Sequence, residues 1–145
     1  GRIVQAPLPR SYFSKLRAAL DEATVYGDRI VSFLGHLESP EMIAEAADLL
    51  LRAEEVRWAL TFGVVDNWLH VSIRARDRDR HAGRIARNLA GRRGFGGGHQ
   101  ALAAAQIPLN GTNGDRQIRK LLGDLTKRFL RATGNRNAKG KKLCS

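Results

Sequence analysis

Residues 57–65 carry apolar side chains on both faces of an extended chain: Trp58, Leu60, Phe62 and Val64 on one, Ala59 and Val65 on the other. A strand of this composition must be covered from two sides. Asp66-Asn67 follows and supplies a tight turn. Residues 68–75 then alternate, with Leu69, Val71, Ile73 and Ala75 on one face and Trp68, His70, Ser72 and Arg74 on the other. The pattern predicts an antiparallel hairpin inside a sheet that has helices on both sides. No internal repeat or heptad array competes with this reading.

The flanking sequence supplies those helices. Residues 11–26 place Phe13, Leu16, Leu20 and Ala23 on one helical face, with Ser11 as a cap. Ile30–Leu34 reads as a strand ended by Gly35. Ser39-Pro40-Glu41 signals a helix start, and Ile43, Ala46, Ala47 and Leu50 give that helix an inward face running to about Glu54. Residues 80–90 put Ala82, Ile85, Ala86 and Leu89 opposite Arg80, Arg84 and Arg87. A glycine loop leads into a strand from Ala103 to Leu109, which Pro108 assigns to a sheet edge. Residues 115–132 form a helix with Ile118, Leu121, Leu122, Leu125 and Phe129 inward. The expected fold is α/β, in the order αβαββαβα: a single mixed sheet of about four to five strands flanked by helices. Residues 1–10, with Pro7 and Pro9, read as an interdomain linker, 11–133 as the domain, and 134–145 as a disordered basic tail.

The chain has 145 residues, 43% of them hydrophobic, which suits one domain with its own core. Its formal net charge of +11, largely arginine, points to a polyanionic partner, most simply a nucleotide or single-stranded nucleic acid. The single cysteine, Cys144, excludes an internal disulfide and a cysteine-based zinc site, and fits a reducing, cytoplasmic setting. No apolar run approaches the ~20 residues that span a bilayer. The sequence holds no G-x-S-x-G elbow, no H-x-x-x-H and no Asp/His cluster at ligand spacing, so no motif in it supports a self-contained hydrolase. No metal or cofactor is therefore expected on this chain.

Gly94-Phe95-Gly96-Gly97-Gly98-His99 concentrates four glycines in five residues, then a histidine. Glycine lets backbone N–H groups approach an anion, and histidine adds a donor near neutral pH. The same stretch also suits a plain connector between helix and strand. Ser72 and Arg74 share a strand face about 7 Å apart, close enough to grip one phosphate or carboxylate, although an ordinary exposed strand face would look the same. Arg76, Arg78, Arg84, Arg87, Arg92 and Arg93 offer nucleic-acid contacts or, with Asp77 and Asp79 among them, a salt-bridged surface.

Val71-Ser72-Ile73-Arg74, followed about twenty residues later by Gly96-Gly97-Gly98-His99, resembles the DHH-associated C-terminal domain of the DHH phosphoesterases, the RecJ-like and oligoribonuclease-like proteins. The resemblance covers roughly residues 11–130, with its specific motifs in 71–107. It implies that His99 and the Gly96–Gly98 backbone contact substrate phosphate, and that Ser72 and Arg74 hold another phosphate or the nucleotide end. It also implies a partner N-terminal DHH domain in which Asp and His residues hold two divalent metals, Mn2+ or Mg2+, that activate water. This chain contains no D-H-H. Ala75 stands where the family has serine, and Gln100, Ala101 and Ala104 also depart from its pattern. The expectation is a substrate-binding domain, inactive alone, excised from a longer phosphoesterase; a standalone basic nucleic-acid-binding module is the alternative. Cyclic dinucleotides, short oligoribonucleotides, phosphoadenosine phosphate, polyphosphate and single-stranded DNA all remain open as substrates, and no oligomer seam is visible.

Overall fold

A computed structural model describes residues 5–77, 81–111, 114–134 and 139–145. Its elements run α1 (Arg10–Glu22), β1 (Thr24–Tyr26), β2 (Arg29–Leu37), α2 (Glu41–Leu50), β3 (Trp58–Val65), β4 (Trp68–Ala75), α3 (Ala82–Ala90), β5 (Phe95–Gly98), β6 (Leu102–Pro108), α4 (Asp115–Ala132) and β7 (Lys141–Lys142). The seven strands form one mixed sheet in the order β5-β6-β4-β3-β2-β1-β7. The β2–β3 pair is parallel and α2 makes its crossover; the other described pairs are antiparallel.

The central hairpin is as the alternation requires. Every residue of β3 is buried, and Trp58↔Ala75 through Val65↔Trp68 pair in register around the Asp66-Asn67 turn. α3 and α4 cover one face, where Leu60, Phe62, Val71 and Ile73 meet Ile85, Leu89, Ile118, Leu125 and Phe129. Trp58 and Phe129 meet edge to face, with ring centroids 5.7 Å apart. α1 and α2 cover the other face through two smaller clusters around Ile30, Leu50 and Ala59, and around Leu34, Met42 and Ala46. The buried hydroxyls there are satisfied by the helices above them. Ser32 donates to the Ala19 carbonyl at 2.5 Å, and Thr61 to that of Ile43 at 2.7 Å.

Several expectations are corrected. The sheet has seven strands, not four to five. The helix expected over 11–26 ends at Glu22, because the β-branched Thr24 and Val25 join Tyr26 in pairing with β2. α2 ends at Leu50, with Glu55 at φ 65° in the turn that follows. The helix caps are not the expected serines: Pro9 and Pro40 precede α1 and α2 without a side-chain cap bond. Ser39 instead donates to the Glu41 carboxylate, holding it below the usual carboxylate range. The glycine loop is itself strand β5 on the sheet edge. This moves β6 inside, between β5 and β4, with Pro108 as its last residue. In the stretch expected to be disordered, Lys141–Lys142 pairs with β1, anchored by the Leu143 N–H on the Ala23 carbonyl at 3.0 Å.

Candidate functional site

Helices do not cover the sheet evenly. On the face that carries α1 and α2, the far end over β5 and β6 lies open. Phe95 is 68% exposed and Leu102 49%, and Ala104 and Gln106 are also exposed, while Ala103 and Ala105 on the opposite face are buried.

Register links this open end to β4, where α2 begins to cover the face. Ser72 stands opposite Ala104, and Ala104 opposite Gly97. Arg74 stands opposite Leu102, whose carbonyl accepts the His99 N–H at 2.7 Å. The four residues singled out in two distant stretches of sequence thus occupy two adjacent rows, with β6 between them. Neighbouring strands lie ~4.8 Å apart, so the rows bring the two stretches to within ~10 Å. The floor between them is low. No atom lies within 4 Å of a Cβ built on Gly97, and a shallow hollow of 270 Å³ lies over Phe95, Gly97, Ala104 and Gln106.

The three glycines do different work. Gly97 faces the hollow. A Cβ on Gly96 would stand 2.5 Å from the Ala86 carbonyl oxygen of α3, and one on Gly83 would stand 2.6 Å from the Gly98 carbonyl oxygen. Gly96 and Gly83 therefore let β5 close onto α3, while a Cβ on Gly98 would clash with the Leu102 carbonyl oxygen of β6, and its φ of 147° is one that side-chain-bearing residues rarely adopt. Counted from the His99–Leu102 bond, antiparallel alternation turns the Gly96 and Gly98 N–H groups away from β6, toward the open edge.

Arg74 is buried, as is Ser72, because α2 lies over their end of β4. The burial departs from an ordinary exposed strand face. The guanidinium is held firmly: Nε donates to Asp48 Oδ1 at 2.7 Å, and Nη1 to the Ile73 and Ala103 carbonyls at 3.0 and 3.4 Å. A bond from Arg74 to a ligand therefore falls to Nη2. Asp48 lies on α2. Its pairing with a residue 26 positions away has no local signature. His70 shares the Arg74 face; burial lowers its pKa, which keeps the imidazole neutral at pH 7.

The remaining arginines divide. Arg84 and Arg87 line a 390 Å³ pocket with His81, Gly83, Gly98, His99 and Gln100. The first N–H groups of α3 are not free there, since Ala82 and Gly83 donate to the Gln100 and His99 carbonyls at 3.0 Å each. The positive character of the pocket comes from its side chains. Arg92 and Arg93 are exposed in the turn before β5. Arg76 donates to the Val56 and Leu51 carbonyls and braces the turn after α2. Arg78 lies outside the described residues. A larger pocket of 470 Å³ lies by α4 and β2 and includes none of these residues; at its rim Arg119 bonds Glu22 through both nitrogens and sits 5.2 Å above the Phe33 ring.

Among the described residues, no group of three or more His, Cys, Asp and Glu side chains is placed to hold a metal ion, and no helix is long and apolar enough to cross a membrane. No metal step is assigned to these residues.

Residues 27–132 match the DHHA1 domain family. An uncharacterized protein of Methanocaldococcus jannaschii is 33% identical over 93 residues, which is 64% of this chain and 19% of that protein. The chain thus spans about a fifth of the length of this curated relative. Two solved structures share the fold. The C-Ala domain of Aquifex aeolicus alanyl-tRNA synthetase has a TM-score of 0.51 at 17% identity, over 72% of this chain and 97% of that one. An exopolyphosphatase-related protein of Bacteroides fragilis has a TM-score of 0.57 at 16% identity, over 86% and 37%. With the family match running from the β1–β2 turn to the end of α4, across the central strands and three of the helices, the chain belongs to the DHHA1 family, the domains associated with DHH proteins.

Proposed function

We propose that this chain is the substrate-binding domain of a metal-dependent phosphoesterase that acts on nucleotides or short single strands, and that a DHH domain supplies the metal-holding residues. The observation that supports this reading is strand register: Ser72 stands opposite Ala104 and Ala104 opposite Gly97, while Arg74 stands opposite Leu102, whose carbonyl accepts the His99 N–H. Ser72 and Arg74 Nη2 would hold one phosphate, and His99 with the edge N–H groups of β5 another. Arg84 and Arg87 raise the local positive potential. The contribution to catalysis is grip and orientation of a substrate whose bond is broken elsewhere. Metal bound on the partner domain would supply the activated water.

The test uses phosphate-bearing probes and the chain as it stands. A short 5′-phosphorylated oligonucleotide should bind, and Arg74→Ala or His99→Ala should weaken binding roughly 10- to 150-fold, in line with ~1.5–3 kcal/mol for a charge-assisted bond. The chain with added manganese should release no nucleotide from that probe. Turnover by the chain alone would overturn the division of labour, and affinity indifferent to both substitutions would overturn the site. The net charge of +11 also suits a standalone nucleic-acid-binding module. That reading requires tight, strongly salt-dependent binding to long strands without preference for a terminal phosphate.

A further inference from the structure

The open face does not end at the phosphate-binding rows. One step along β5 from Gly97, on the same face by alternation, stands Phe95, the most exposed of the described large apolar side chains at 68%. Its ring centroid lies 6.1 Å from that of Trp68, with the planes tilted 35°. Trp68 belongs to the Ser72–Arg74 face of β4 and is half-buried. The two rings therefore form a step at one end of the face, while Arg74 and His99 mark the other. Gly97 and Ala104 lie between and leave the path clear. Arg92 and Arg93, both exposed, lie just before Phe95 in the chain.

An exposed aromatic close to two arginines offers a flat apolar surface next to positive charge. The chemistry that suits it is a flat ring attached to a phosphate chain. Stacking on an aromatic tolerates any base, and nearby arginines take the backbone. The dimensions agree. Phe95 lies about 7 Å along the strand from Gly97, and Trp68 about 13 Å from Ser72, which corresponds to one to two nucleotide units of an extended strand. Polyphosphate or a lone phosphate group would leave both rings uncovered.

We propose that Phe95 and Trp68 form a base-stacking step next to the phosphate grip, so that the preferred ligand is a single-stranded oligonucleotide of at least two nucleotides rather than polyphosphate. This rests on the phosphate-grip reading of the same face, and the experiment separates the two. Binding of three probes to the full 145-residue chain is measured by fluorescence anisotropy: a labelled single-stranded pentanucleotide, an abasic strand with the same number of phosphates, and labelled polyphosphate of matched charge. The pentanucleotide should bind at least tenfold more tightly than the other two and should quench Trp68 emission, read against a Trp68→Phe control because buried Trp58 also emits. Phe95→Ala should lose roughly 5- to 100-fold in affinity, as expected for one stacked base, with the salt dependence unchanged, and Phe95→Tyr should retain binding. Phe95 is exposed, so its loss leaves the core intact. Equal affinity for the abasic strand, or no effect of Phe95→Ala, while Arg74→Ala still weakens binding, would overturn the stacking step and leave the phosphate grip standing. Failure of all three probes to bind would overturn both.

Discussion

Three adjacent glycines in β5 answer to two different demands, and single methyl groups can separate them. Gly96→Ala drives a Cβ into the Ala86 carbonyl oxygen at 2.5 Å, a backbone atom that cannot swing aside. The expected cost is ~1–3 kcal/mol, read as a lowered denaturation midpoint. Gly97→Ala meets no atom within 4 Å, so stability should hold while oligonucleotide affinity falls, because the methyl enters the hollow over Gly97 and Ala104. If the two substitutions exchange their effects, β5 turns its other face to the hollow. The same scale explains why Arg74 is more than a positive charge. Asp48 and two carbonyls fix the plane of its guanidinium, which a lysine could not reproduce.

Among the elements, α4 has the plainest link from pattern to structure. Its apolar spacing predicts the helix 115–132, and the helix forms over that range, with Ile118, Leu122, Leu125 and Phe129 buried. Phe129 is fully buried against Trp58, so Phe129→Ala should destabilise the domain by ~3–5 kcal/mol in chemical denaturation. A loss under about 1 kcal/mol would mean that α4 does not seat Phe129 against Trp58. β5 behaves oppositely. Four residues, three of them glycine, have little strand propensity of their own, and they are extended because β6 pairs with them and α3 lies against them.

Across the whole molecule, acid should act in two stages. Burial lowers the His70 pKa, and Arg119 lowers that of Glu22 by hydrogen bond and charge. Both groups bind protons more readily when unfolded, so the stability tied to each is present above its unfolded pKa and is lost as pH falls through its folded one. Denaturation midpoints should therefore decline below about pH 6.5 as the unfolded chain protonates at His70, and again below about pH 4.5 at Glu22. His70→Gln should flatten the first decline alone. The Glu22–Arg119 share is small, because both side chains are more than a third exposed and such pairs contribute ~0.2–1 kcal/mol.

The central hairpin and the α/β class were legible in the amino-acid order, which also singled out Ser72, Arg74, Gly96–Gly98 and His99 as candidates. Each rests on a local signal: period-two alternation, apolar residues on both faces, glycines in a cluster. The company those residues keep belongs to the folded molecule alone. Folding turned the glycine loop into an edge strand and moved β6 inside the sheet. It tied Arg76 to the turn after α2, set Asp48 behind Arg74, and ran Phe95 and Trp68 along the open face. These pairings join residues tens of positions apart through sheet register and helix placement, and strand periodicity carries no information about which strand lies next to which.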